Sequence, residues 1–212
     1  MIIQNLHGLR HPGDYQAIFF DFDGVLADTE PIHWRCWHDV LLGQGIDLSW
    51  DYYERECIGV SDRDMLVRLG ALADPPQSAD DLFHLYPLKK EMFRDACSSH
   101  SPIPQAVVAA VKSLQNVKLG VVTSSGKTEV EPILLKTQLL ERLDVTVYGR
   151  DAGKLKPSPE PYLLAASKCG IERALVFEDS TAGVESADVA GHLVLRIAGP
   201  TDLPALLAQL AF

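Results

Sequence analysis

The sequence predicts an α/β fold: a doubly wound parallel sheet interrupted, just after its first strand, by an all-helical insertion. Three observations predict it. Short apolar runs recur at 17–20, 118–125, 144–149, 174–179 and 192–197, each too short for a buried helix. From residue 105 onward these runs alternate with amphipathic stretches, the rhythm of a parallel sheet covered on both faces. Between the first run and residue 105 only three- and four-residue apolar spacing is found, which is helical.

Residues 1–15 carry Gly8, Pro12 and Gly13 among polar side chains and read as an irregular extension with room for one short strand. AIFF (17–20) then stops abruptly in DFDG (21–24), a buried strand ending in a polar turn. HWRCWHDVLL (33–42) and SDRDMLVRLGAL (61–72) have helical spacing, and a third such pattern runs from about 80 through Lys89 and Lys90 to 96. GQGIDLS (43–49), GVS (59–61) and DPPQS (74–78) separate them, and the two prolines of SSHSPIP (98–104) would stop a helix there. Helices are expected over 105–115, 129–141, 159–170, 182–190 and 202–211, each but the last leading into a strand. Pro132 is expected in the first turn of its helix and Gly170 as a C-cap. The expected domains are therefore an α/β core, 1–30 with 104–212, and a helical insertion, 31–103.

A chain of 212 residues supports one substantial core, or a core with a smaller inserted domain, and its 47% hydrophobic and 23% charged content is that of an ordinary globular protein. A formal charge of −10 argues against nucleic acid, which calls for a basic footprint. It also means that an anionic substrate needs a local positive device, for which a divalent cation is the natural candidate. Cys36, Cys57, Cys97 and Cys169 are scattered without metal-ligand spacing and read as reduced, buried side chains. No apolar run approaches the roughly 18 residues of a membrane span, and the first residues lack the pattern of a secretory leader. A cytosolic monomer is the expectation.

In an open parallel sheet, ligands bind beyond the carboxyl ends of the strands. Here the first strand ends in Asp21 and Asp23, the second in Thr123 and Ser124, and the fourth in Glu178 and Asp179, while Lys156 follows the third. Four carboxylates gathered at one edge repel one another, a conflict that Mg2+ resolves because it takes oxygen ligands and bridges to phosphate. Asp21 and Asp179 are the expected carboxylate ligands, with the Asp23 carbonyl as a third. Glu178 would orient a ligand or a metal-bound water, Lys156 would face the phosphate and Asp21, and Thr123 would hydrogen-bond a phosphate oxygen.

DFDGVLADTE, VVTSS, the lysine of KLKPSPEPY and VFEDSTAGVESA resemble, in order and strand placement, the four motifs of the haloacid dehalogenase superfamily. The likeness is greatest to the branch containing β-phosphoglucomutase and small sugar-phosphate phosphatases, and it spans nearly all the chain beyond the first fifteen residues. It implies a Rossmann-like core with a helical cap, and a Mg2+-dependent phosphatase in which Asp21 attacks phosphorus and forms an aspartyl-phosphate. Asp23 would protonate the leaving oxygen and later take a proton from water. Thr123, Ser124 and backbone N–H groups near Gly24 would hold phosphate oxygens alongside Lys156 and the metal. The cap would act as a lid over a small phosphorylated metabolite.

The resemblance also implies contacts from the insertion. His33 stands where a cap-hinge histidine is found and either meets Asp23 or the substrate or is a packed helix histidine. Asp62 and Arg63 follow the GVS loop as specificity candidates, and Lys127 either binds phosphate or is a solvated lysine. Trp34 and Trp37 read as packing. A dehalogenase, a phosphonate-cleaving enzyme (no lysine precedes Lys89) and an ion pump do not fit. A β-phosphoglucomutase-type mutase carries an arginine directly after the loop serine, where this chain has Asp62, an acid that would repel a second phosphate. A phosphatase is favoured, with the mutase as alternative and a receiver-like phosphate-responsive domain as the non-enzymatic one. A hexose phosphate, a glycolate-type phosphate and a nucleotide all satisfy these motifs.

Overall fold

The computed structural model describes residues 1–11, 13–58 and 60–210. Pro12, Gly59 of the GVS loop and Ala211 at the end of the expected last helix lie outside the described residues. The chain divides into two units, one of Met1–Asp28 with Ser101–Phe212 and one of Thr29–His100.

The helical unit holds α1 (Glu30–Leu42), α2 (Trp50–Glu56), α3 (Asp62–Leu72), α4 (Ala79–Phe83) and α5 (Tyr86–Ser99). Ser49, Ser61 and Ser78 are the N-caps of α2, α3 and α4, each accepting a backbone N–H three residues on. The continuous helical pattern expected over 80–96 is two helices. Pro87 has no N–H to give to a preceding turn, so it sits at the start of α5, and α4 ends before it. Trp37, Leu41, Leu48, Met65, Leu66 and Leu82 make this unit's core, which confirms Trp37 as packing.

The other unit carries six strands: β1 (Ile2–Ile3), β2 (Ala17–Phe20), β3 (Lys118–Val122), β4 (Val145–Val147), β5 (Ala174–Glu178) and β6 (Leu193–Arg196). They form one sheet of order β1-β6-β5-β2-β3-β4, and every pairing is parallel. The helices are α6 (Gln105–Ser113), α7 (Lys127–Lys136), α8 (Glu160–Cys169), α9 (Thr181–Val189) and α10 (Leu203–Leu207). β2 and β5 are buried at every residue because helices cover both faces of a parallel sheet, hence their continuous apolar sequences. On one face Phe19, Val147, Val176 and Val194 meet Tyr162 and Ala165 of α8 and Val184 and Ala187 of α9.

The short strand foreseen in the extension exists as β1 and closes the sheet edge against β6. Gly170 caps α8 at φ 63°, as expected of a residue free to turn left-handed. Pro132 departs from expectation: α7 begins at Lys127, so this proline is its sixth residue rather than part of its first turn. The helix persists across it while Val130, Ile133 and Leu134 stay buried. All four cysteines are buried and none is in a disulfide, and among the described residues no helix is long and apolar enough to cross a membrane.

The chain runs outward from β2 to β3 and β4, then returns to the other side of β2 for β5 and β6. The order therefore reverses between β2 and β5, and beyond the carboxyl ends of such a pair is where an open parallel sheet takes its ligand. The register sets Phe20 beside both Val121 and Phe177, so the residues following these strands emerge at one level.

Candidate active site

Asp21 follows β2 and is buried, its N–H donating to the Phe177 carbonyl at 3.0 Å. Lys156, from the loop after β4, spends all three ammonium hydrogens. It donates to Asp21 Oδ1 at 2.8 Å, to the Val122 carbonyl at 2.8 Å and to Glu178 Oε1 at 2.5 Å. Glu178, the last residue of β5, is fully buried and also accepts from the Tyr162 hydroxyl at 2.7 Å. Its other oxygen accepts from Asp179 N–H, Ser180 N–H and Ser180 Oγ. Ser180, rather than Asp179, caps α9, which leaves the Asp179 side chain available for other work.

Ligand oxygens of Asp21, Glu178 and Asp179 lie within 4.8 Å of one another. Only Lys156 forms ion pairs with this group among the described residues, so negative charge is in excess. Burial first, then Glu178, pushes the Asp21 carboxyl well above the usual range despite Lys156. The same two causes raise Asp179 to about 6. Burial pulls Lys156 down, but Asp21 and Glu178 outweigh it and leave the ammonium above its ordinary value. An all-oxygen, over-acidic cluster is the donor set that suits a hard divalent cation such as Mg2+.

Two glycines make the cluster sterically possible. Gly24 has φ 72°, and a Cβ on it would overlap the Asp179 carboxylate. A Cβ on Gly183 would overlap that of Glu178. Gly24 does not offer a spare donor as expected: its N–H is given to the Ala27 carbonyl at 2.8 Å, closing the turn after β2. Its contribution is room rather than a hydrogen bond.

Asp23 Oδ2 accepts from Ser125 Oγ at 2.6 Å, and the Ser125 N–H donates to Thr123 Oγ1 at 2.9 Å. Thr123 is buried at the end of β3 and Ser124 is exposed. Lys127 is exposed and sits 3.3 Å from Glu131. Asp21, Lys156, Glu178 and Asp179 thus form one connected set, and Asp23, Ser125 and Thr123 a second, with the Asp23 charge felt at Asp21 and Asp179. Ser125, Tyr162 and Gly183 were missed. VVTSS and KPSPEPY contain the first two, but nothing in sequence spacing says which of two serines turns inward or which helix residue lies under the lysine.

The helical unit gathers His33, Asp62 and Lys89. His33 stacks on Phe93 with ring centroids 4.2 Å apart, and its Nδ1 accepts from Lys89 at 2.9 Å. Burial, then the Lys89 charge, holds this imidazole well below its usual pKa and hence neutral. Asp62 Oδ1 accepts from the Trp37 indole N–H at 2.8 Å and lies 3.9 Å from Lys89. Arg63 is instead committed to Asp80 at 2.5 Å on the exposed side of α3.

A family model described as haloacid dehalogenase-like hydrolase matches residues 18–197, from inside β2 to just past β6. The chain belongs to this family. Among haloacid dehalogenase-like relatives, a phosphorylated carbohydrates phosphatase of Thermotoga maritima is 32% identical over 179 residues, 83% of this chain and 82% of the relative. A fructose-1-phosphate phosphatase of Escherichia coli is 30% identical over 181 residues, 84% of this chain and 93% of the relative. A crystal structure of a putative β-phosphoglucomutase from Thermotoga maritima superposes with a TM-score of 0.72 at 26% identity, covering 92% of this chain and all of that one.

Proposed function

We infer that this haloacid dehalogenase-like hydrolase is a phosphoric monoester hydrolase for a small phosphorylated carbohydrate, with Asp21 as its nucleophile. One observation carries the reading: Asp21, at the end of β2, is held by Lys156 at 2.8 Å within a cluster of three carboxylates, two of them buried. The names of the phosphatase relatives support the substrate class.

Asp21 attacks phosphorus in line, the ester P–O bond breaks, and the phosphoryl group is left on the carboxylate. Asp23, steadied by Ser125, gives its proton to the departing oxygen. It then takes one from the water that attacks the aspartyl-phosphate, returning Asp21 and releasing inorganic phosphate. Lys156 offsets charge at Asp21 throughout, and Thr123 and Ser124 offer hydroxyls to phosphate oxygens. Asp21 and Asp179, with the Asp23 carbonyl, would hold Mg2+, which supplies charge neutralisation on the transferring group. The helical unit serves as a cap, with Asp62 and His33 its candidates for binding substrate. An acid at Asp62 favours a phosphatase over a mutase, whose second phosphate it would repel.

Phosphate release from p-nitrophenyl phosphate and a panel of sugar phosphates, with β-glucose 1-phosphate included for mutase turnover, tests the reading. Hydrolysis that needs Mg2+ and disappears in Asp21→Asn is expected. Activity that survives either EDTA or that substitution overturns it.

A further inference from the structure

Tyr162 lies outside the expected site, yet its hydroxyl makes one specific bond there. The side chain is fully buried on α8 and belongs to the core face of the sheet. A phenylalanine would fill that space equally well, and the hydroxyl has one partner, Glu178 Oε1 at 2.7 Å. That same oxygen takes the 2.5 Å bond from Lys156. The Lys156 Nζ also stands 5.0 Å from the centre of the Tyr162 ring, within cation–π range. One residue thus supports the ammonium from below and fixes the carboxylate beside it.

We propose that Tyr162 is a positioning residue for phosphoryl transfer: its hydroxyl pins Glu178 so that this carboxylate anchors Lys156 against Asp21 instead of turning to the metal. The proposal rests on the phosphatase reading for the reaction, but the pinning itself is a property of the folded chain. Glu178 receives five donors, two on Oε1 and three on Oε2, which fill the lone pairs a carboxylate can present. A metal ligand needs a free lone pair, so Asp21 and Asp179 carry the cation. Lys156 has its three hydrogens directed at Asp21, Val122 and Glu178, a tripod that loses one fixed foot when Glu178 is released.

The test is Tyr162→Phe, with Tyr162→Met as a second variant lacking the hydroxyl, each checked for folding by thermal melting. In protein labelled at lysine nitrogen, the Lys156 ammonium resonance (assigned by its loss in Lys156→Met) is expected to be sharp in the wild type and broadened by faster hydrogen exchange in both variants. With p-nitrophenyl phosphate, kcat is expected to fall about tenfold with KM little changed, the scale seen when a partner behind a metal-site residue is removed. Mn2+ affinity, measured by calorimetry without substrate, should not fall, since the pinned Glu178 is not a ligand whose loss could weaken the site. Unchanged resonance and kcat overturn the proposal while leaving the phosphatase reading intact, and Mn2+ affinity falling in step with kcat overturns it by making Glu178 a ligand. A broadened resonance in a protein whose wild type releases no phosphate upholds the pinning and sinks the phosphatase reading instead.

Discussion

Lys156 and Glu178 form a buried ion pair, Nζ to Oε1 2.5 Å, with 4% and 0% of their side chains exposed. A buried pair stabilises only weakly relative to apolar packing, but breaking it leaves a charge with no counterpart. Lys156→Met does that to both Asp21 and Glu178. The expected loss is about 3–5 kcal/mol of stability in EDTA, partly recovered with Mg2+, together with loss of turnover. Denaturant melts with and without the metal measure it.

Metal binding should depend on pH through Asp179. Its carboxyl is raised to about 6 in the fold, against about 3.9 in the unfolded chain. Between those values the folded protein holds the proton that the unfolded chain has lost, so this group's contribution to stability falls as pH rises through that window. Mg2+ needs the ionised form, and its affinity is expected to rise about tenfold from pH 5 to pH 7. Calorimetric titration of the metal-free protein at the two pH values checks this, and an unchanged affinity contradicts it.

Gly183→Ala sets two effects against each other. Alanine favours a helix by about 1 kcal/mol over glycine, yet its methyl would overlap the Glu178 carboxylate. That carboxylate is held by five donors and has little freedom to yield. Overpacking wins, and a net loss of about 1–3 kcal/mol is expected with a larger proportional loss of kcat. A thermal melt paired with steady-state kinetics reads both.

Asp62→Leu leaves the indole N–H of Trp37, which is fully buried, without its acceptor. A cost of about 1–3 kcal/mol is expected for that orphaned donor, read as a lowered denaturation midpoint. Asp62→Asn, which keeps an acceptor oxygen, should recover most of it.

The alternation of apolar runs and amphipathic stretches was legible because a doubly covered parallel sheet demands continuous apolar strands, as in AIFF and ALVFE. The acidic residues were legible too, since a strand end in such a sheet is where a ligand must bind. Local boundaries were less so. Pro132 was placed in a first turn because proline is favoured there, while burial of Val130, Ile133 and Leu134 carries α7 past it. The apolar spacing runs unbroken past Pro87, so the pattern over 80–96 does not show where α4 ends and α5 begins.

Chain order alone determined the parallel sheet and which carboxylates and which lysine stand at its carboxyl edge, because continuous apolar runs and strand-end placement are local properties. Only the tertiary structure decided which partners those groups take. Glu178 spends both oxygens on Lys156, Tyr162, Asp179 and Ser180, Ser125 rather than its neighbour reaches Asp23, and Gly24 gives room in place of a donor. Hydrogen bonds between residues far apart in sequence depend on distances of a few tenths of an ångström, and no spacing rule along the chain encodes them.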